Sequence, residues 1–564
     1  MRKLFLIPAL MIAITCIIAG QEASDTARLK QFIYQYGQAV VSVEYPGFSK
    51  ASAIGRDFPI DRYKEGRLYL VINHTTIDKF LAAGITFTVN EPEEGKGVRG
   101  SENLNKALEW QSYPSYTQYD SIMRKFAADY PGLCRLDTIG TSVLGKLVLV
   151  LKISDNVHID EYDEPEVFYT STMHGDELAG FVLMLRLADY LLSNYATDTQ
   201  VQHLVNNLQI FINPLSNPDG TYRTGNTIVN PIRANANGRD LNRNFPDPLE
   251  PGTVQEKENV DMIAFMRSRR FILSANFHSG AEVLNYPWDR WTRFHPDDAW
   301  FVRLCRAYAD TVHQYSPASY LNDYNNGIVR GSVWYIIYGG RQDFATWELQ
   351  GREVTIEIDN VKQTPADQLE TLWQYNYRSL LNYLGFALNG VRGRVTNASG
   401  GEGIAARVFA EGHDTDSSHV YSIAPSGYYN RLIDAGTWAF RFSAQGFRDT
   451  VISGIQVMAS EPTWLNVSMQ PIDNTEDTLR TDRLLAMPNP SNGVFKILLP
   501  ENSSGEISVE LADRLGRTVW RQNVYYQDHT PAVISIQGLS PGVYIIRARL
   551  NQAGRLYHGR VVIF

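Results

Sequence analysis

Cysteine is scarce in this chain: three in 564 residues, at positions 16, 134 and 305. Cys16 lies in an N-terminal apolar stretch, so a disulfide scaffold is excluded. Cys134 and Cys305 read as two separate buried thiols, with a single bridge as the alternative in an exported protein. An excess of positive charge is also missing. Lys and Arg number 52 against 61 Asp and Glu, a net charge of −9. That excludes a general phosphate-backbone binder, and no nucleic-acid partner is expected. Long apolar runs are absent beyond the N-terminus. The apolar segment after Gly180 is broken by Arg186 and Asp189, so the mature chain is expected to have no membrane span. There is no short-period repeat.

What is present is 44% hydrophobic content, enough for real cores, in a chain long enough for several domains. The opening "MRKLFLIPALMIAITCIIAGQEA" puts Arg2 and Lys3 before an apolar stretch and ends it on Ala19 and Gly20. Residues 1–20 therefore read as a secretory signal peptide, with an uncleaved anchor as the competing reading. Residues 24–108 contain a strand, helix, strand pattern and then a polar, glycine-rich linker. Residues 109–388 mix strand-like and helix-like segments and predict an α/β domain. Residues 389–471 change to short alternating strands with glycine turns, a small antiparallel sandwich. After a charged linker, 484–564 predict a second β-sandwich.

The chemistry concentrates around "STMHGDELAG", Ser171 to Gly180, between a strand-like and a helix-like run. His174 and Glu177 are three apart at a strand-to-helix turn, where both could face one ion. "FILSANFHSG" is a likewise strand-like run ending at His278. Zinc in a hydrolase takes three such ligands and keeps one place open. Alone, this spacing is equally that of a solvated helix start, whose acids favour the positive end of the helix dipole, and a lone histidine is usually structural.

Further segments change the balance. "NPLSNPDG", "NPIRANANGRDLNRNFPD", "GSVWYIIYGGRQDF" and "EVTIEID" follow in order. Together with the first two they resemble the zinc carboxypeptidase family, in particular its regulatory subfamily, similar to carboxypeptidases D, E, M and N. The resemblance covers about 109–388. It implies a mixed eight-stranded sheet flanked by helices, followed by two small β-sandwich domains. It also implies one Zn2+ held by His174, Glu177 and His278. Glu357 matches the general base that takes a proton from a metal-activated water. Arg233 matches the arginine that polarises the scissile carbonyl, and Asp240 an acid that orients His174. Asn242 and Arg243 match the pair that grips a substrate's terminal carboxylate, which makes the activity that of an exopeptidase. Tyr335, four residues before Gly339, matches a mobile tyrosine that closes over the substrate; Tyr338 is out of register and structural. Asp289 falls at the pocket position that favours C-terminal Lys or Arg, and Gln342 at the second pocket position fits the same branch.

The 389–471 segment resembles the transthyretin-like sandwich of regulatory carboxypeptidases. The last segment, with "PNPSNG", "LADRLGRTVW" and "GLSPGVYIIRARL", resembles the sorting domain of type IX secretion substrates. That implies export through the periplasm of a Gram-negative bacterium to the cell surface or medium, with the type IX machinery as a partner. The N-terminal region resembles a small leader domain of some bacterial carboxypeptidases and reads as a prosegment, with Lys96 and Arg99 as cleavage points. The expected activity is removal of C-terminal Lys or Arg from peptides and proteins. The alternatives are a same-fold peptidase for cell-wall peptides or hydrophobic C-termini, and an inert surface binding module.

Overall fold

The computed structural model describes residues 24–91, 98–250, 252–472, 484–499, 504–513, 516–527, 531–550 and 556–564. The signal segment 1–20, Cys16 and the cleavage point Lys96 lie outside the described residues. The chain divides into two units, Met1–Gln470 and Pro471–Phe564.

The first unit is centred on an eight-stranded mixed sheet, as expected. After a small N-terminal sheet of β1 (Gln38–Glu44), β2 (Ile60–Lys64), β3 (Arg67–Asn73) and β4 (Thr88–Val89) come its strands. These are β5 (Cys134–Thr141), β6 (Leu147–Ile153), β7 (Glu166–Ser171), β8 (Gln209–Asn213), β9 (Phe271–His278), β10 (Ala281–Tyr286), β11 (Ile328–Arg330) and β12 (Arg352–Asp359). Their spatial order is β11-β10-β12-β9-β7-β8-β6-β5. The middle pairs β12–β9, β9–β7 and β7–β8 are parallel. Parallel strands are covered on both faces and read as unbroken apolar runs. In β7, Val167 and Tyr169 enter the core on one face, which holds the helices Ala179–Asn194, Asp298–Gln314 and Leu369–Gly385. Phe168 enters the opposite core with Phe211, Met262 and Phe271. Each fully buried side chain of this size contributes roughly 1.5–3 kcal/mol.

Local chemistry sets the helix ends. The helix Tyr116–Asp129 opens on a capping box: Ser115 Oγ accepts from the Gln118 N–H, and Gln118 Oε1 accepts from the Ser115 N–H at 2.7 Å. Two orphan amide donors are thereby satisfied. Its buried face is Tyr119, Ile122, Met123 and Phe126, the i, i+3, i+4, i+7 stripe of a helix laid on a core. Cys134 and Cys305 are free and buried, and burial pushes the Cys134 thiol up to about 12. Neither thiol is primed for nucleophilic chemistry.

Residues 390–469 form two packed four-stranded sheets around Val391, Val408, Phe440 and Phe442. Among the described residues, a buried ion cluster links this sandwich to the sheet domain. Asp297 accepts from Arg352 Nη2 at 2.6 Å, from Arg431 Nη2 at 2.9 Å and from His413 Nε2 at 2.8 Å. The second unit is built from a three-stranded and a four-stranded sheet closing on Phe495, Ile497, Val509 and Ile546. Among the described residues no helix is long and apolar enough to cross a membrane.

Candidate active site

The site is assembled at the ends of the central parallel strands, where an α/β sheet builds its crevices. Chain reversal after β7 begins at Thr172, a non-glycine residue at φ 56°, a conformation that costs ~1–3 kcal/mol. Its hydroxyl donates to the Glu177 carbonyl at 3.1 Å, closing the loop that carries His174 and Glu177. A neighbouring turn braces that loop. Asn217 Nδ2 donates to the Met173 carbonyl and Thr221 Oγ1 to the Gly175 carbonyl. A Cβ on Gly175 would stand 2.4 Å from the Gly220 backbone, so the two glycines allow a close approach no larger residue permits. This gives the "NPLSNPDG" segment a structural task.

His174, Glu177 and His278 converge. His174 Nδ1 lies 2.9 Å from Glu177 Oε1 and 3.0 Å from His278 Nδ1, which lies 2.7 Å from Glu177 Oε2. The outer ring nitrogens are committed elsewhere. His174 Nε2 donates to Asp240 Oδ1 at 3.0 Å, and His278 Nε2 to Asn276 Oδ1 at 2.7 Å. In neutral imidazoles the two Nδ1 atoms are then both lone pairs, aimed at each other beside a carboxylate. Such a donor set repels itself and is resolved by a cation. Two imidazoles and one carboxylate suit zinc, and orienting partners behind each ring are what such ligands require. Burial raises Glu177, but the flanking imidazoles outweigh it and hold the carboxyl well below its usual range. Burial lowers His278 to about 4, which keeps it a ligand rather than a cation.

Arg233 is tied to this group. Its Nε donates to Asp240 Oδ2 at 2.9 Å and its Nη1 to Glu177 Oε1 at 3.1 Å. Burial raises Asp240, yet Arg233, His174 and Arg243 hold it well below the carboxylate range. Glu357 is paired in register with His278 across β12 and β9. Its Oε2 is buried without a hydrogen-bond partner among the described residues. Burial and then the Glu177 carboxylate push Glu357 well above the usual range, against Arg233 and Lys362.

On the far side of Arg233 lies the rest of the expected site. Asp240 Oδ1 accepts from the Asn242 N–H, and Asn242 Oδ1 from the Arg341 N–H, both at 2.9 Å. The Asn242 amide nitrogen is thus what that residue can offer a ligand. Arg243 is half-buried, and its Nε has no partner among the described residues. Asp289 is buried and accepts at Oδ1 from Asn285 Nδ2 at 2.9 Å and Gln342 Nε2 at 3.1 Å. The two pocket positions therefore touch. Burial pushes Asp289 up to about 6, against Asn285 and Arg243. A Cβ on Gly331 would meet Asp289 Oδ1 at 1.7 Å, so only glycine admits the carboxylate there. Tyr335 is half-buried and packs against the core of the N-terminal sheet; burial pushes its hydroxyl up to about 12. Tyr338 is stacked between Arg290 and Arg56, at 4.3 and 5.4 Å, in keeping with a structural part.

The zinc carboxypeptidase family matches residues 119–379. Human carboxypeptidase D is 36% identical over 436 residues, 73% of this chain and 31% of that protein. The human carboxypeptidase N catalytic chain is 31% identical over 397 residues, 63% of this chain and 85% of that protein. This chain belongs to the zinc carboxypeptidase family. It spans less than a third of the length of carboxypeptidase D. The carboxypeptidase regulatory-like domain matches residues 390–470, and the secretion system C-terminal sorting domain 486–563. The carboxypeptidase A structure from Helicoverpa armigera is 18% identical with a TM-score of 0.47, covering 62% of this chain and 96% of that one.

Several site residues were not anticipated. Asn276, which holds His278, is itself held by Glu353 Oε1 at 3.0 Å, and Glu353 forms a fully buried pair with Arg341. Since the Arg341 N–H also anchors Asn242, one relay connects the three converging ligands to Asn242. Lys362, five residues after Glu357, places Nζ 3.8 Å from both Glu177 and Asp176. Alternation along β9 puts Asn276 on the same face as His278, which is the one hint available from the chain. Lys362 carries none.

Proposed function

We propose that this chain is a secreted, zinc-dependent carboxypeptidase that removes C-terminal Lys and Arg from peptides and proteins. The observation that carries the reading is the convergence of His174, Glu177 and His278 beside Glu357 and Arg233, with Asn242, Arg243 and Asp289 beyond them. Bound metal supplies a Lewis acid that activates water and polarises a carbonyl. Glu357 takes a proton from the attacking water and returns it to the leaving amine. Arg233, held rigid by Asp240 and Glu177, stabilises charge developing on the carbonyl oxygen. Arg243 and the Asn242 amide nitrogen bind the terminal carboxylate by charge-assisted hydrogen bonds. Asp289 selects a cationic last side chain, because a buried carboxylate left unpaired is costly. Tyr335 closes over the bound end.

The N-terminal region 24–108 serves as a leader, the sandwich at 389–471 as a packing module, and 484–564 as a sorting domain for type IX export from a Gram-negative cell. The test is hydrolysis of matched peptides ending in Arg, Glu and Phe by purified protein, with and without chelator. Chelator-sensitive release of Arg alone supports the reading. Equal rates on all three end the basic preference. Peptide binding without hydrolysis by the zinc-loaded protein turns it into a binding module.

A further inference from the structure

Two side chains of the N-terminal sheet reach the catalytic centre. Gln38, at the start of β1, makes both of its amide contacts there. Its Nε2 donates to Asp176 Oδ2, and its Oε1 accepts from the Arg233 N–H, each at 2.9 Å. A carboxamide with its N–H and its C=O both engaged has the hydrogen-bonding pattern of a peptide group. Asp61, in β2, pairs with Lys362 Nζ, and its side chain is almost completely covered. Burial raises Asp61, but Lys362 and Arg62 outweigh it and keep it ionised.

The position of these contacts relative to the end-of-chain pocket is informative. Lys362 touches Asp61, Asp176 and Glu177, whereas Asp289 touches Asn285 and Gln342. The two neighbourhoods share no residue. Asp289 and Asn242 both approach Gly340, at 3.7 and 3.8 Å from where its Cβ would be, while Lys362 borders the metal triad through Glu177. A peptide whose last residue enters the Asp289 pocket and whose scissile bond lies at the triad must lead its preceding residues toward Asp176 and Lys362. Lys362 is nearly buried. Glu177 is committed to both histidines and Arg233, and Asp176 Oδ2 to Gln38, so the closest anion on Lys362 is Asp61.

We propose that Asp176, the Arg233 N–H and Lys362 form an upstream subsite that holds a peptide group and an acidic side chain of the residues preceding the scissile bond. Gln38 and Asp61 occupy this subsite as internal stand-ins. The inference rests on the exopeptidase reading above for its direction along the substrate. Once these stand-ins are displaced, it adds a preference: an acid just upstream of the basic C-terminus, recognised by Lys362.

The test uses the full-length zinc-loaded chain and peptide pairs ending in Arg, with Asp or Asn at the first or second residue before it. Asp61→Ala vacates Lys362. The variant is expected to favour an Asp peptide over its Asn partner by about tenfold in kcat/KM, the scale of one charge-assisted hydrogen bond. Adding Lys362→Met should bring that ratio back to about one. Thermal melting is recorded for each variant, and the isosteric Asp61→Asn replaces Asp61→Ala if the latter loses its transition. Calorimetric binding of the same pairs to Asp61→Ala/Glu357→Gln gives a readout independent of turnover. Absence of hydrolysis would therefore sink the exopeptidase reading alone. Equal affinity for Asp and Asn peptides, or a preference that survives Lys362→Met, overturns the subsite.

Discussion

Nδ1 of His174 and Nδ1 of His278 face each other at 3.0 Å. Asp240 and Asn276 hold the opposite ring nitrogens, so neither ring can turn to relieve the contact without losing a hydrogen bond. The pair is pre-set for a cation. Most of the ordering needed for metal binding is already present in the fold.

Metal retention should therefore follow His278. Burial keeps this imidazole neutral until pH approaches about 4, and a protonated imidazole cannot bind metal. Metal should be retained through dialysis at neutral pH and be lost by the time pH falls to about 4, where His278 is protonated. His278→Ala should lose the metal at neutral pH. Elemental analysis of dialysed samples checks both.

Glu357→Gln should leave the metal in place, since Glu357 is not among the three converging ligands. Turnover should drop by about 10²–10⁴, the usual contribution of a positioned general acid–base group. Steady-state kinetics beside metal analysis separates the two effects; loss of metal together with activity would contradict the assigned role.

Specificity should vary with pH through Asp289. Burial raises this carboxyl to about 6, so it is ionised above that value and neutral below it. The ratio of kcat/KM for Arg-ending over Phe-ending peptides should be high at neutral pH and decline as pH falls through about 6. Asp289→Asn should flatten the profile.

Arg243→Met should lower kcat/KM by about 10–100-fold, the effect of losing hydrogen bonds to a charged group. It should also shrink the difference between a free and an amidated C-terminus. Rates on such a peptide pair measure this directly.

Asp297→Ala should destabilise the first unit by about 3–5 kcal/mol, because buried Arg352 and Arg431 would lose their shared partner. Burial raises Asp297, but Arg431 and Arg352 outweigh it and hold it well below its unfolded value. Its stabilisation is thus complete above the unfolded pKa of about 3.9 and is lost as pH falls through the depressed folded value. Denaturant titration at neutral pH checks the magnitude.

The outline of the metal site was legible in the chain because its three candidate ligands sit where strands end. An apolar run stopping at His278, and another giving way to a helix around His174 and Glu177, mark where a sheet presents side chains to a crevice. Patterning indicated an α/β domain and two small sandwiches, while the eight-stranded mixed sheet was implied by the family resemblance. The supporting residues were not legible. Asn276, Glu353 and Arg341 read as ordinary polar positions until the sheet brings them into line. Gln38, Asp61 and Lys362 come from segments far apart in sequence and meet only through packing of the N-terminal sheet against the central one. No local pattern encodes such a meeting.

Register between β9 and β12 sets His278 and Glu357 side by side. Their separation is that of neighbouring strands, about 4.8 Å in any sheet, and backbone pairing rather than a loop maintains it. Loops that carry no site residue can therefore lengthen or shorten while this pair keeps its spacing, whereas the loops bearing His174, Glu177 and Arg233 are held by the bracing contacts described above. Diversification of diet and constancy of chemistry are compatible in this scaffold because they are written in different parts of it.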